Sequence, residues 1–479
     1  MVNKTVAKVR DYYNNNSLKI DESKRRTKGY YNELKRFLSS VIIPGQKVLD
    51  IGCGNGDMLA SLDVARGVGI DISAGMIELA RKKHANNELS FFVGDAQDPA
   101  LLTGLNEKFD VVLLCNSITE MHDVQAVFEA LHTVCHPRTR IIVISYSRVW
   151  QIPLQIAEWL GFKVKNPVNN WLSSDIVREM LQTAEYDIIR GANYIIFPFN
   201  LGPVSRWINR YVGNLPLISE LNLMFGIIAR PIKQASVPAK EPTCSIVIPC
   251  RNEAGHLQQL SDRLPALRDG SEVIWIEGNS TDDTAERIRE MIERNPEKNW
   301  RFLQQPGKGK GDAVRHAFAS ARGDILIILD ADVTVAPEDL PKFINLLARN
   351  KAEFVNGCRL IYPMDEKAMR FLNLLGNRFF AKLFSYLLGQ KVRDTLCGTK
   401  VLWRSDYEKI AANRNYFGDF DPFGDFDLLF GAARLNLKIL DLPVRYGERT
   451  YGTTNISRFR DGFLLLKMSG IAAKKLKFI

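Results

Sequence analysis

The chain has 479 residues, 46% hydrophobic and 25% charged, with a net charge of +10. That length exceeds one ordinary domain and the composition is globular, so two separate cores are expected. Seven scattered cysteines with no C-x-x-C pair exclude a zinc ribbon and a disulfide framework, and a reduced, cytoplasmic setting fits them.

The amino-terminal stretch Met1–Arg36 is basic, with ten Lys/Arg against four Asp/Glu, and lacks the apolar segment of a secretory signal. Apolar runs that read as buried strands follow at KVLDIG, GVGIDI, LSFFVG, FDVVLL and RIIVIS, with helical patterns between them. The first run ends in a glycine-rich turn, Asp50-Ile51-Gly52-Cys53-Gly54-Asn55-Gly56, where glycines let backbone approach a ligand. The second ends in Asp71, suited to ribose hydroxyls, about 20 residues on. The third ends at Asp95, suited to an adenine amino group, and the fourth at Asn116.

These four strand ends resemble the class I S-adenosylmethionine-dependent methyltransferases over roughly Lys24 to Arg148. The resemblance implies that Asp50, Gly52, Gly54 and Gly56 line the methionine end of the cofactor, with Asp71 at the ribose, Asp95 at the adenine and Asn116 beside them. Glu120, His122 and Asp123 are the nearest candidate bases for methyl transfer. The aromatic-rich segment Trp150–Arg230 reads either as an apolar lid over the acceptor or as an extra helical layer or interface. Within it, Val212–Ala229 comes nearest to a membrane span, but Pro216, Glu220 and Asn222 interrupt it.

The polar, proline-containing stretch 233–242 reads as a linker between a first domain, 1–232, and a second, 243–479. The second domain opens with the strand Ile246–Pro249, leading to Glu253, and the strand Ile274–Glu277. The loop Gly307-Lys308-Gly309-Lys310-Gly311-Asp312 suits a diphosphate at a helix start. The run Ile325–Leu329 delivers Asp330-Ala331-Asp332. On an extended chain these two carboxylates would point the same way and hold Mg²⁺ or Mn²⁺. Phe423-Gly424-Asp425-Phe426-Asp427 is an acidic turn opening a helix.

This set resembles glycosyltransferase family 2, and within it the dolichol- and polyprenyl-phosphate glycosyltransferases, from Thr243 to about Leu466. Arg393–Lys400 and Thr453–Gly462 share the likeness. The resemblance implies a GT-A fold, so the whole is α/β with two Rossmann-like domains. It further implies that Pro249, Glu253, Glu277, Lys310 and Asp330 bind the nucleotide-sugar, and that Asp330 and Asp332 hold the metal. Asp425 becomes the catalytic, acceptor-side acid, and Arg458 and Arg460 the grip on an acceptor phosphate. Gly424 replaces a frequent acidic residue, and Glu277-Gly278 leaves UDP and GDP both open as donor nucleotide.

Met369–Leu388 is helical, with Leu372, Leu375, Phe379, Leu383 and Leu387 in one stripe and Phe384 and Leu388 outside it. A helix apolar on two sides suits either a peripheral contact with the cytoplasmic face of a membrane or an interface. The end Arg434–Ile479 is again basic, ten Lys/Arg against three Asp/Glu, which suits anionic lipid. The aromatic–basic interleaving of single-strand binders is missing, so no nucleic-acid partner is expected.

The expected activity is bifunctional: one sugar transferred from a nucleotide-sugar to a polyprenyl phosphate or glycolipid, and a methyl group transferred from S-adenosylmethionine to a related acceptor. A first domain that only binds the cofactor, or a soluble sugar acceptor, are the alternatives.

Overall fold

The computed structural model describes residues 4–161, 163–232, 241–362, 371–416, 424–447 and 458–478. The side chains of residues 25, 26, 371–373, 415, 425 and 458–461 lie outside that set. By contacts the chain divides into two compact units, Met1–Gln234 with Phe478–Ile479, and Ala235–Lys477.

The first unit opens with helices α1 (Lys4–Arg26) and α2 (Lys28–Val41). It continues with β1 (Gln46–Ile51), β2 (Val64–Asp71), α3 (Ala74–Lys83), β3 (Leu89–Val93), α4 (Pro99–Gly104), β4 (Phe109–Cys115), α5 (Val124–Ala130) and β5 (Cys135–Tyr146). After α6 (Gln151–Trp159) and α7 (Ser174–Thr183) come β6 (Tyr186–Tyr194), α8 (Pro203–Trp207) and β7 (Met224–Pro231). The strands form one sheet in the order β3-β2-β1-β4-β5-β7-β6. Its first five strands are parallel, while β7 runs antiparallel to both β5 and β6.

Both faces of this sheet are covered, which explains why its strands read as continuous apolar runs. Leu49, Val112, Leu114, Ile141 and Val143 pack on one side with Val127 of α5 and Val177 and Leu181 of α7. Val48, Val111, Leu113, Ile142 and Ile144 pack on the other with Leu34 and Leu38 of α2 and Ile77 and Ala80 of α3. The capping side chains are local: Ser73 accepts from the Met76 N–H at 3.2 Å, and Asp123 from the Ala126 N–H at 2.9 Å.

Residues 150–230, read as either an apolar lid or an extra helical layer or interface, turn out to extend the sheet itself. Two of the seven strands come from that segment, and all eight residues of β7 are buried. The apolar run that came nearest to a membrane span, Val212–Ala229, ends in this strand, which supplies its last six residues. Arg230, also buried, is matched by Asp187 across the pair at 3.2 Å.

The second unit contains β8 (Cys244–Cys250), α9 (Leu257–Arg263), β9 (Glu272–Glu277), α10 (Thr284–Glu293), β10 (Trp300–Gln304), α11 (Lys310–Ser320), β11 (Ile325–Ile328) and α12 (Leu340–Ala348). There follow β12 (Phe354–Cys358), α13 (Phe371–Leu388), β13 (Lys400–Trp403), α14 (Arg404–Ala412), α15 (Asp425–Arg434), β14 (Ile439–Pro443) and α16 (Arg458–Ala472). The sheet order is β10-β9-β8-β11-β13-β12-β14, parallel through β11, with β13 antiparallel to its neighbours. Both units are thus open, mostly parallel α/β sheets, each with a topological switch beside its first strand: between β1 and β4, and between β8 and β11. Ligands of such sheets bind outside the carboxyl ends of the strands at that point.

Candidate active sites

In the first unit the loops after β1, β2 and β4 surround a cavity of about 670 Å³. Gly52 turns the chain out of β1 at φ +76°, and a Cβ there would stand 2.5 Å from Ser117 Cβ, so the strand ends on β1 and β4 meet only if this residue is glycine. Gly54 and Gly56 share the positive φ. Asp71 accepts from the Gly54 N–H at 2.8 Å and the Ser73 N–H at 2.9 Å, which fixes the glycine loop against the end of β2. Asp95 is held by the Gln97 backbone N–H and side-chain amide, each at 3.0 Å. Asn116, at φ +60°, donates to the Tyr30 hydroxyl at 2.7 Å.

Three buried oxygens at this cavity have no hydrogen-bond partner: Asp50 Oδ1, Asn116 Oδ1 and Ser117 Oγ. Asp50 is 2% exposed, and burial, with Asp71 beside it, pushes its carboxyl up to about 7. Orphaned buried acceptors are costly, and a hydrogen-bond-donating cation satisfies them. The ammonium of an amino-acid group is such a cation, so these residues fit the methionine end of the adenosyl cofactor.

The three candidate bases separate. Asp123 is committed to capping α5. His122 and Glu120 line the cavity. Glu120 is pushed up to about 7 by burial, reinforced by Asp71 and opposed by the hydrogen bond it accepts from the Tyr13 hydroxyl at 2.8 Å. Tyr13 belongs to α1, whose part in the site was not foreseen. Val6, Val9, Tyr13, Ile20 and Lys24 all line the cavity, and Asn14 Oδ1 accepts from the Ser73 hydroxyl at 2.8 Å. Their three-, four- and seven-residue spacing is a helical stripe, the signal that the basic composition of this segment obscured.

In the second unit four motifs converge. Lys310 opens α11, and its Nζ lies 2.6 Å from Asp330 Oδ1, holding that carboxyl below the usual range against the opposing effect of burial. Gly398 packs on this pair so closely that a Cβ would stand 2.0 Å from Asp330 Oδ2 and 2.5 Å from Lys310 Nζ. Gly424, at φ +76°, packs on the same loop, where a Cβ would stand 2.7 Å from Gly311 Cα. That contact explains the glycine in place of an acid: it seats the start of α15, and with it the backbone of Asp425, against the glycine-rich loop. The side chains of Asp425, Arg458 and Arg460 lie outside the described residues.

The expected extended Asp-x-Asp is corrected. The strand ends at Ile328, the chain turns at Ala331-Asp332, and Val333 takes φ +57°. Asp330 faces Lys310, whereas Asp332 accepts from the Thr334 hydroxyl at 2.7 Å. Among the described residues no group of three His, Cys, Asp or Glu side chains gathers to hold an ion. The donor set is two hard carboxylates, which suits a divalent cation completing its shell with phosphate oxygens.

On the base side, Pro249 is the penultimate residue of β8, Glu253 follows that strand, and Glu277 ends β9. Glu253 is paired with His256 Nδ1 at 2.7 Å. Glu277, despite its burial, is held below the usual range by donors on Ser280, Gln304 and Asn279 at 2.6, 2.6 and 3.0 Å. Behind the site, Arg359 forms a two-pronged ion pair with Asp394 at 2.7 and 2.9 Å, and the Asp394 carbonyl accepts from Asn356 at 2.7 Å. This pair braces the segment that carries Gly398.

Residues 42–185 match a family described as a methyltransferase domain, and residues 245–411 match glycosyl transferase family 2. Two transferase units on one chain are therefore the class that fold and sites define. The chain thus joins a segment that matches a methyltransferase domain to one that matches glycosyl transferase family 2. It is 29% identical over 227 residues to the low-salt glycan biosynthesis hexosyltransferase Agl6 of Haloferax volcanii, covering 46% of this chain and 52% of that one. It thus spans about half the length of that relative. It is 29% identical to the dolichyl-phosphate hexose transferase of the same organism, over 46% of this chain and 88% of the other. With the dolichol-phosphate mannosyltransferase of Pyrococcus furiosus it shares 31% identity over 49% of this chain and 66% of the other.

Proposed function

We propose that the chain is bifunctional. Its second unit moves one sugar from a UDP- or GDP-sugar to a polyprenyl phosphate or related glycolipid, with inversion. Its first unit moves a methyl group from S-adenosylmethionine to a related acceptor. The observation that carries the sugar reading is the convergence of Lys310, Asp330, Gly398 and the start of α15 on one point at the carboxyl edge of the sheet.

In this reading Lys310 grips the donor diphosphate, and Asp330 and Asp332 anchor a divalent cation. Such a cation, when bound, neutralises charge on the departing nucleoside diphosphate. Asp425 orients the acceptor, and Arg458 and Arg460 grip an acceptor phosphate, which is already ionised near neutral pH and needs no base. The test is a screen of UDP- and GDP-sugars against a short-chain polyprenyl phosphate with Mn²⁺ or Mg²⁺. Metal-dependent transfer supports the reading. Transfer to soluble acceptors alone removes the lipid from it.

No described helix is long and apolar enough to cross a membrane. Yet α13 buries Phe384 and Leu388 inward, against Phe426 and Phe430 of α15 in the case of Phe384, and exposes Leu375 and Phe379 on its other side. The packed neighbour α16 exposes Phe463 and Leu466, with Arg378, Lys382 and Lys467 exposed on the same two helices. This apolar, basic face suits a peripheral contact with the membrane that holds a polyprenyl acceptor. Phe379→Glu with Phe463→Glu is expected to cut flotation with anionic vesicles at least several-fold while leaving the folded fraction unchanged. Equal flotation of the double variant and the parent removes the contact.

For methyl transfer, the cofactor supplies an electrophilic methyl group, and Glu120 takes the proton of a hydroxyl or amine acceptor. Glu120→Gln keeps an acceptor for the Tyr13 hydroxyl but cannot take a proton. It is expected to lower methyl transfer by about 10²–10⁴-fold, the usual scale for a general base, with affinity for S-adenosylhomocysteine unchanged. Because the carboxylate is the active form, the parent rate rises with pH through about 7. A pH-independent rate, or full activity of Glu120→Gln, excludes the role.

A further inference from the structure

Helix α1 roofs the adenosyl cavity, and one of its side chains is electrostatically out of place there. Lys24 Nζ lines the cavity beside the glycine loop, 3.9 Å from where a Cβ would stand on Gly54. It donates to Asn55 Oδ1 and lies over the Tyr31 ring at 5.5 Å. The nearby acids are taken: Lys83 sits 2.7 Å from Asp21 and 2.8 Å from Asp57, and His84 is 2.9 Å from Asp57. Among the described residues no carboxylate comes within ion-pairing distance of Lys24. Burial accordingly pulls its ammonium below the usual range.

Asp57 and Asp21 favour the Lys24 charge from beyond ion-pairing distance and offset that burial only in part, so a further anion at the ammonium would be stabilising. The orphaned Asp50 Oδ1 lines the same cavity at the start of the glycine loop, within reach of the Lys24 charge. The cavity therefore presents one cation with no carboxylate within ion-pairing distance and one unsatisfied acid around Gly52–Gly54, which is the electrostatic mirror of an amino-acid zwitterion.

We propose that Lys24 is the counter-ion for the α-carboxylate of the adenosyl cofactor, so that the cofactor itself latches α1 over the cavity. The proposal rests on reading this cavity as the adenosylmethionine site. The ammonium end goes to Asp50 and the carboxylate end to Lys24, and α1 closes because the ligand bridges it to the β1 loop. Removing the amino-acid end from the ligand should remove the contribution of Lys24.

The test is calorimetry with S-adenosylhomocysteine and with 5′-methylthioadenosine, which lacks the amino-acid end, on the full chain and on Lys24→Met and Lys24→Arg. Loss of one charge-assisted contact predicts that Lys24→Met weakens S-adenosylhomocysteine by roughly 10- to 100-fold. Methylthioadenosine binding stays within about twofold, and Lys24→Arg recovers most of the loss. Hydrogen exchange reads the latch directly: S-adenosylhomocysteine, but not methylthioadenosine, slows exchange in residues 4–26 of the parent, and the effect disappears in Lys24→Met. Equal weakening of both ligands, or no weakening of either, overturns the proposal. If the parent binds neither ligand, the reading of the cavity fails instead.

Discussion

Asp332→Asn is expected to lower metal-dependent sugar transfer on the order of 10²–10³-fold, the scale of losing one preorganised electrostatic contact to the departing charge. Asparagine keeps a carbonyl oxygen for the Thr334 hydroxyl, which Asp332 now receives at 2.7 Å, so the turn after β11 survives. What disappears is the charge that holds a divalent cation. Initial rates at varied Mn²⁺, together with nucleotide binding measured without metal, separate the two. The rate falls and the metal requirement rises, while metal-free nucleotide affinity is unchanged. Full activity at the parent's metal concentration would falsify the role of Asp332.

The largest stability effect is expected at Arg359, whose guanidinium meets Asp394 in a two-pronged pair with the aspartate fully buried. Arg359→Leu leaves that carboxylate without its cation, and breaking such a pair costs about 3–5 kcal/mol. Replacing both partners by apolar residues of similar size should restore much of the loss, since nothing charged then remains buried. In the parent, burial opposes but Arg359 outweighs it, and the Asp394 carboxyl sits below the usual range. A depressed carboxyl stabilises the fold above its unfolded value, and the contribution is lost as pH falls below about 4. In Arg359→Leu the carboxyl is raised instead, so protonation relieves it. The gap between variant and parent, followed by denaturant unfolding, should be widest near pH 7 and narrow toward pH 4. A gap independent of pH would show that packing of Arg359 over Tyr446, at 5.0 Å, matters more than its charge.

The parallel strands and the motifs at their ends were legible because each is a local pattern: an apolar run, then glycine or a carboxylate. Asp50, Asp71, Asn116 and Asp330 all stand at such ends, and Lys310 opens the helix after its glycine-rich loop. The antiparallel strands were not legible in the same way. Tyr186–Tyr194 carries Asp187, Arg190 and Asn193, and becomes a strand by pairing with β7, some forty residues later. The direction of a carboxylate is also nonlocal. The sequence places Asp330 and Asp332 two residues apart, but Lys310 and Thr334 decide where each points. Tyr13 and Lys24 were hidden for a related reason: a basic helix is usually a solvated one, and only the cavity beneath it shows which of its residues face inward.

The roof over the cavity of the first unit also has a place in time. Tyr13 meets Glu120 across 107 residues of chain, and Asn14 meets Ser73 across 59. Helix α1 is made well before β4, yet its docking surface is complete only after β4 has been synthesised and paired. Contacts of such separation carry the loop-closure cost that slows folding, and a vectorially made chain must hold this helix in reserve. Until then the inward stripe of the helix, Val6, Val9, Tyr13 and Ile20, exists without the cavity it lines.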